Sequence, residues 1–312
     1  MKTKILYLLL LIPVLLLLGY FFLDNYQENK NIENLRNANL RFVDLSRGRT
    51  RILRHKHEDK ARVLLLHGGG IAGSEIWRSN IEFLKFRQYD ILAYDQYGKG
   101  FSDRPRMKYS LNNLSQQLNE ILDTTNFDSQ KFSIVSHSMG GMLAIKFLVE
   151  QSDKVDKTIL LSPSLLGGFT PKSVLKVPIL SDMLMTYYWY WGFLDGRRKE
   201  FYDVEKFKEY EDIILPFSRT EGFKYVYRRT WLDILTEDVV QELREISYED
   251  QKRIMIIFGL NDPYYNEGAI PALKKYLPHA NYFIIDKVGH NVNFEKPDTV
   301  NQIIHNFIFS FQ

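Results

Sequence analysis

Cysteine is missing from all 312 residues, and that one absence removes disulfides, thiolate metal sites, a cysteine nucleophile and a lipid-modified amino-terminal cysteine. A large excess of either charge is missing as well. The net charge of +3 comes from 41 Lys and Arg against 38 Asp and Glu, with no basic block or aromatic-interleaved stripe, so nothing points to a nucleic-acid partner. No His/Asp/Glu group has metal-ligand spacing, and neither a metal nor a cofactor is expected. There is no internal repeat, and one apolar run near the amino terminus is the only biased segment. What is there is a 45% hydrophobic chain, enough for one large core, and a domain of about 250 to 270 residues plus appendages fits its length.

The apolar run, Ile5 to Leu23, is uncharged over 19 residues, with Lys2 and Lys4 before it and Asp24 after it. As a helix it measures about 28 Å, close to the hydrocarbon thickness of a bilayer. A cleaved signal peptide, the alternative that would leave a secreted protein, asks for an apolar core of about 7 to 15 residues and then small residues. Gly19 to Asn25 holds no Ala-x-Ala-like site. The reading is therefore an uncleaved transmembrane signal anchor over residues 1–24, single-pass, with Pro13 tolerated as a kink. The two lysines favour a cytoplasmic amino terminus and a catalytic domain outside. Residues 25–39, rich in Asn and charge, read as a polar tether, and residues 40–312 as the folded domain.

That domain alternates strand and helix. Leu40–Leu45 and Thr50–Arg54 read as a leading antiparallel pair, Val63–Leu66, Asp90–Tyr94, Phe132–Val135 and Thr158–Leu161 as buried strands, and 253–259 and 281–286 as two more. Ser74–Phe86, Leu111–Leu122, Met139–Glu150 and Val300–Phe311 carry helical spacing. The stretch of about 163–248 breaks the pattern, with several helical segments and a dense aromatic cluster, Tyr187 to Phe193.

Chemistry gathers at the strand ends. Ile134-Val-Ser-His-Ser-Met-Gly-Gly141 has the form of a nucleophile elbow: a strand, then Ser138 in a strained positive-φ turn, then glycines opening a helix. Small residues are needed two before and two after the serine, and Ser136 and Gly140 supply them. A serine hydroxyl needs a base, an acid to orient the base, and N–H donors for the developing oxyanion. Asp262 follows the strand 253–259, and His290 follows the strand 281–286. Asp286 and Glu295 compete with Asp262 but sit at a strand end and in a following helix, as structural or exposed residues would. The turn after Val63–Leu66, His67-Gly-Gly-Gly70, can present bare amides, Gly69 foremost, and the Met139 amide would be the second donor. His67 and His137 read as supports of that region, and His55, His57, His279 and His305 as surface or helix residues.

These segments, His67–Gly70, Tyr94–Asp103, the elbow at Ser138, Gly259–Asp262 and Gly289–His290, resemble the α/β-hydrolase superfamily over roughly Leu40 to Gln312. The resemblance implies a doubly wound, mostly parallel, eight-stranded sheet with a helical cap over the elbow at about 163–248. It also implies acyl transfer by Ser138, His290 and Asp262 in the chain order serine, acid, histidine. A carboxylic ester with an apolar acyl group is the expected substrate, small and lipid-like, in an esterase or lipase manner. Carbon–carbon bond hydrolases of the meta-cleavage type are the enzymatic alternative, since His67–Gly70 resembles their oxyanion turn, although Asn291 stands where many of them have an aromatic. A receptor or interaction module on a hydrolase scaffold is the alternative outside enzymes.

Overall fold

The computed structural model describes residues 2–167, 173–264 and 268–309, with side chains from 11 onward and outside 189–191. Eight strands, β1 Arg41–Leu45, β2 Gly48–His55, β3 Arg62–Leu66, β4 Asp90–Tyr94, β5 Phe132–His137, β6 Val155–Leu161, β7 Ile254–Gly259 and β8 Asn281–Ile285, form one sheet in the order β1-β2-β4-β3-β5-β6-β7-β8. β1 and β2 pair antiparallel, β2 runs antiparallel to β4, and every pairing from there to β8 is parallel. The expected leading hairpin and doubly wound sheet are both present. Parallel central strands need cover on both faces. β4 and β5 are accordingly buried along their whole lengths, and Leu64 and Leu66 pack into one core while Val63 and Leu65 pack into the other. Burial of each such side chain contributes about 1.5 to 3 kcal/mol.

Helix α1 spans Lys2–Gln27, α2 Arg78–Phe86, α3 Leu111–Thr125 and α4 Gly140–Glu150, and the last helix runs Pro297–Phe309. The final residues of the helix expected over Val300–Phe311 lie outside the described ones. Ser74–Phe86, read as one helix, is a 3-10 turn at Gly73–Trp77 followed by α2. The cap region holds α5 Pro178–Arg198, α6 Val204–Ser218 and α7 Phe223–Leu232, with no strand among its described residues.

Among the described residues no helix is long and apolar enough to cross a membrane. The side chains of Ile5 to Leu10, the first part of the expected span, lie outside them. Residues 25–39, expected as a tether, are bonded to the cap and the body. Lys30 bridges Thr220, the Glu28 carboxylate accepts the Gly222 and Lys224 amides, and Arg36 donates to the Phe101 carbonyl and to Asp103.

Candidate active site

Ser138 follows β5 directly and has φ +52°, the strained elbow conformation expected from its sequence. Its amide donates to the Leu161 carbonyl at 2.9 Å, which ties the turn to β6. Two glycines make room for it. A Cβ on Gly140 would come within 2.5 Å of the Leu66 carbonyl oxygen, and one on Gly68 within 2.9 Å of the Ser138 Cβ, so the β3 turn passes directly against the nucleophile.

His290 and Asp262 meet across the ends of β7 and β8. The ring Nδ1 lies 2.7 Å from Asp262 Oδ2, and the other carboxylate oxygen accepts the Tyr264 amide at 2.8 Å. Burial alone would push the imidazole pKa down, but the Asp262 charge and hydrogen bond outweigh it and the value is raised. Burial would likewise raise the Asp262 pKa, and His290 with the hydrogen bonds to the carboxylate brings it below the usual value. The neutral ring therefore carries its proton on Nδ1 and leaves Nε2 bare. The expected rivals are elsewhere. Asp286 is exposed and, among the described residues, accepts only the Lys287 amide, whereas Glu295 is buried and accepts the amides of Gly289, Tyr202 and Asp203, pinning the histidine loop to the start of α6.

His67 and His137 are supports with definite tautomers. His67 Nδ1 donates to the Gly68 carbonyl at 2.7 Å, and its Nε2 accepts the Gln96 amide at 2.9 Å. Burial holds its pKa down to about 4, so it stays neutral and grips the glycine turn. His137 Nε2 donates to the His290 carbonyl at 3.0 Å, with burial holding its pKa down to about 3. Asp95, fully buried, accepts from the Ser74 amide and hydroxyl and the Phe101 amide, which fastens the Tyr94–Asp103 motif to the turn behind the glycines. Neither the Gly69 nor the Met139 amide has a protein acceptor among the described residues. Met139 sits at the amino end of α4, where free amides and the helix dipole favour an anion.

Ser138, His290 and Asp262 face one cavity of about 540 Å³, together with the His67–Gly70 turn. Leu165, Leu166, Trp231, Leu235, Phe258 and Leu273 give it an apolar wall. A polar wall, absent from the sequence reading, comes from the cap. Arg197 pairs with Glu200 at 2.9 Å, the Tyr264 hydroxyl donates to the same carboxylate at 2.8 Å, and the Tyr210 ring closes the side near Gly70. Burial would lower the Arg197 pKa, but Glu200 reverses that and the guanidinium stays charged. The Glu200 carbonyl also accepts the His290 amide at 2.7 Å. No signal marks these residues in the sequence, because Arg197 to Glu200 reads as a charged helix end. Phe193 packs on Phe223 and Tyr227 inside the cap, and the side chains of Trp189 to Trp191 lie outside the described residues. Asn291 lines the cavity with a buried side-chain nitrogen that has no partner among the described residues. No group of three metal-ligating side chains occurs among them either.

The family model described as alpha/beta hydrolase fold matches residues 62–195. Over 102 residues the chain is 36% identical to a 2-hydroxy-6-oxo-6-(2'-aminophenyl)hexa-2,4-dienoic acid hydrolase of Metapseudomonas resinovorans, covering 32% of this chain and 34% of that relative. The match thus spans about a third of that relative's length. Among solved structures, the meta-cleavage product hydrolase of Pseudomonas fluorescens IP01 aligns with TM-score 0.67 at 22% identity over 87% of this chain and 98% of its own. The enol-lactonase of Burkholderia xenovorans LB400 aligns with TM-score 0.68 at 17% identity over 86% and 99%.

Proposed function

The chain belongs to the α/β-hydrolase superfamily, and from that premise we propose that it is a serine hydrolase cleaving carboxylic esters with an apolar acyl group. The observation that carries the reading is the 2.7 Å bond from His290 to Asp262, which leaves Nε2 bare on the wall of the cavity that Ser138 also lines. His290 takes the hydroxyl proton as Ser138 attacks the ester carbonyl, and Asp262 stabilises the imidazolium that results. The Gly69 and Met139 amides hold the oxyanion. Collapse expels the alcohol, protonated by His290, and water activated by the same ring frees the acid.

Leu165, Leu166, Leu235 and Phe258 support an apolar acyl site. Each added CH₂ is then worth about 0.8 kcal/mol, nearly fourfold in kcat/KM, until the site is full. A series of p-nitrophenyl esters tests this: efficiency rises from acetate to medium chains and then levels or falls. Equal efficiency across the series rejects the apolar acyl site.

A second reading rests on Arg197. A charged guanidinium inside the cavity offers a partner to a substrate carboxylate, and two of the similar proteins carry names of dienoate or meta-cleavage hydrolases. Failure on every ester with turnover of a vinylogous diketone acid moves the assignment to carbon–carbon bond hydrolysis.

The apolar run Ile5–Leu23 supports a membrane anchor for α1, with the catalytic domain on the extracytoplasmic side. Full-length protein that remains with membranes through carbonate washing, its amino terminus intact, supports the anchor, and a mature terminus beyond Leu23 rejects it.

A further inference from the structure

The first half of helix α5, residues 178–188, is inside out for a helix in water. Its polar side chains Ser181 and Thr186 are 0% and 1% exposed, while Ile179, Leu184 and Tyr188 are 77%, 36% and 70% exposed, with Val177 and Leu180 open beside them. Asp182 turns toward Arg228, 3.6 Å away. A helix of a water-facing cap presents the reverse pattern. Contiguous exposed apolar surface on this scale marks a partner or a membrane.

The neighbour of α5 identifies which. Tyr187 donates its hydroxyl to the Leu16 carbonyl, Gln27 donates to the Thr186 carbonyl at 2.8 Å, and the Lys224 ammonium pairs with Asp24 beside Thr186. Glu28 adds a cap on the α7 amino terminus, accepting the Gly222 amide at 3.1 Å. The Tyr187 bond joins α5 to α1 within the apolar run, and the bonds of Asp24 and Gln27 to Thr186 join them just past its end at Leu23. Along α1 every residue from Leu11 to Leu18 is exposed. Eight consecutive helical residues circle the axis more than twice at about 3.6 per turn. A protein groove covers one side of a helix, whereas hydrocarbon covers all of them.

We propose that the outer face of α5 is a second membrane-embedded surface: α5 enters the bilayer beside α1, carrying the cap into the lipid and setting the catalytic cavity at the membrane, where esters of lipid-phase acids would be its substrates. The proposal rests on the reading of α1 as an anchor, because α5 has the depth that its bonds to Leu16 and Asp24 impose. Lys176, exposed one residue before the α5 apolar face begins, fits the headgroup level.

The absence of cysteine makes a direct test available. Single variants Ile179→Cys, Leu184→Cys and Tyr188→Cys in the full-length chain are labelled with an NBD maleimide and reconstituted into vesicles of phosphatidylcholine and phosphatidylglycerol. Leu15→Cys reports on α1, and Phe86→Cys, 82% exposed on α2, reports on the body. Emission at 179, 184 and 188 is expected to shift to the blue and to be quenched by doxyl-labelled lipid, as at 15, with no change at 86. Response at 15 alone overturns the proposal and leaves the anchor standing. Silence at 15 as well as on α5 rejects both. A blue shift on α5 without quenching by doxyl lipid indicates a protein contact and also overturns the proposal.

Discussion

Asp262 Oδ2 and His290 Nδ1 stand 2.7 Å apart at the ends of neighbouring strands, although 28 residues separate them in sequence. That bond sets the tautomer on which any base role for His290 depends. Asp262→Asn is expected to keep the fold and lower kcat by roughly 10⁴, the scale of losing the orienting carboxylate. Asp286→Asn, at an exposed site, is expected to leave kcat within about twofold. Steady-state rates of the two variants on one ester decide the identity of the acid, and a reversed ranking removes Asp262 from the role.

The rate should also carry the signature of His290. Its pKa is raised above the ordinary 6.5, so the ring is protonated, and unable to accept the serine proton, until the pH exceeds that value. kcat/KM therefore climbs with pH through a midpoint above 6.5, and in Asp262→Asn, without the opposing charge, the residual rate climbs through a lower midpoint. A profile whose wild-type midpoint falls below that of Asp262→Asn contradicts the assignment.

Gly140 reports on the elbow. Its absent side chain leaves room for the Leu66 and His67 carbonyls, which a Cβ would meet at 2.5 and 2.7 Å. Gly140→Ala is expected to cost about 1 to 3 kcal/mol and to disturb the amides beside it. Gly192→Ala on α5, where nothing among the described residues lies within 4 Å, is expected to be neutral or to stabilise by about 0.5 to 1 kcal/mol. Urea midpoints measure both, and equal effects would argue against the close packing of the β3 turn on the elbow.

Lys99 links the Tyr94–Asp103 motif to the cap, its ammonium donating to the Thr230 hydroxyl at 2.8 Å in a buried site. Burial, with Arg104 and Arg197 adding repulsion, holds its pKa down to about 7 from 10.5. Between those two values the unfolded chain binds the extra proton, so this group makes stability rise with pH, by up to about 1.4 kcal/mol per unit, and contributes no slope below pH 7. Lys99→Met removes the slope. The difference in unfolding free energy between wild type and variant is expected to shift in favour of wild type from pH 7 to pH 9, and a constant difference contradicts the lowered pKa of the buried amine.

Strand ends were legible in the sequence, and so was a helical stretch at about 163–248, but not which of its side chains reach the cavity. Val63–Leu66 and Phe132–Val135 announce themselves because strands covered on both faces are continuous apolar runs, and Asn281–Asp286, an edge strand left largely open, does so by its apolar stretch Tyr282 to Ile285. The residues just past them, His67 to Gly70, Ser138 and His290, are therefore placed by local order alone. Arg197, Glu200 and Tyr210 reach the same cavity from cap helices, whose sequence position carries no such rule. The bonds of Asp24, Glu28 and Arg36 to the cap and body were equally hidden. A short polar stretch reads as solvated until its partners, such as Lys224 at a separation of 200 residues, are folded against it.

The central claim is an activated Ser138, and covalent capture by a fluorophosphonate tests it most directly. An oxyanion hole and a bare His290 Nε2 should let the hydroxyl attack phosphorus, giving one adduct per chain on the peptide that contains Ser138, lost in Ser138→Ala and strongly slowed in His290→Ala. A folded wild-type protein that stays unmodified, or labelling that survives in Ser138→Ala, would contradict the account.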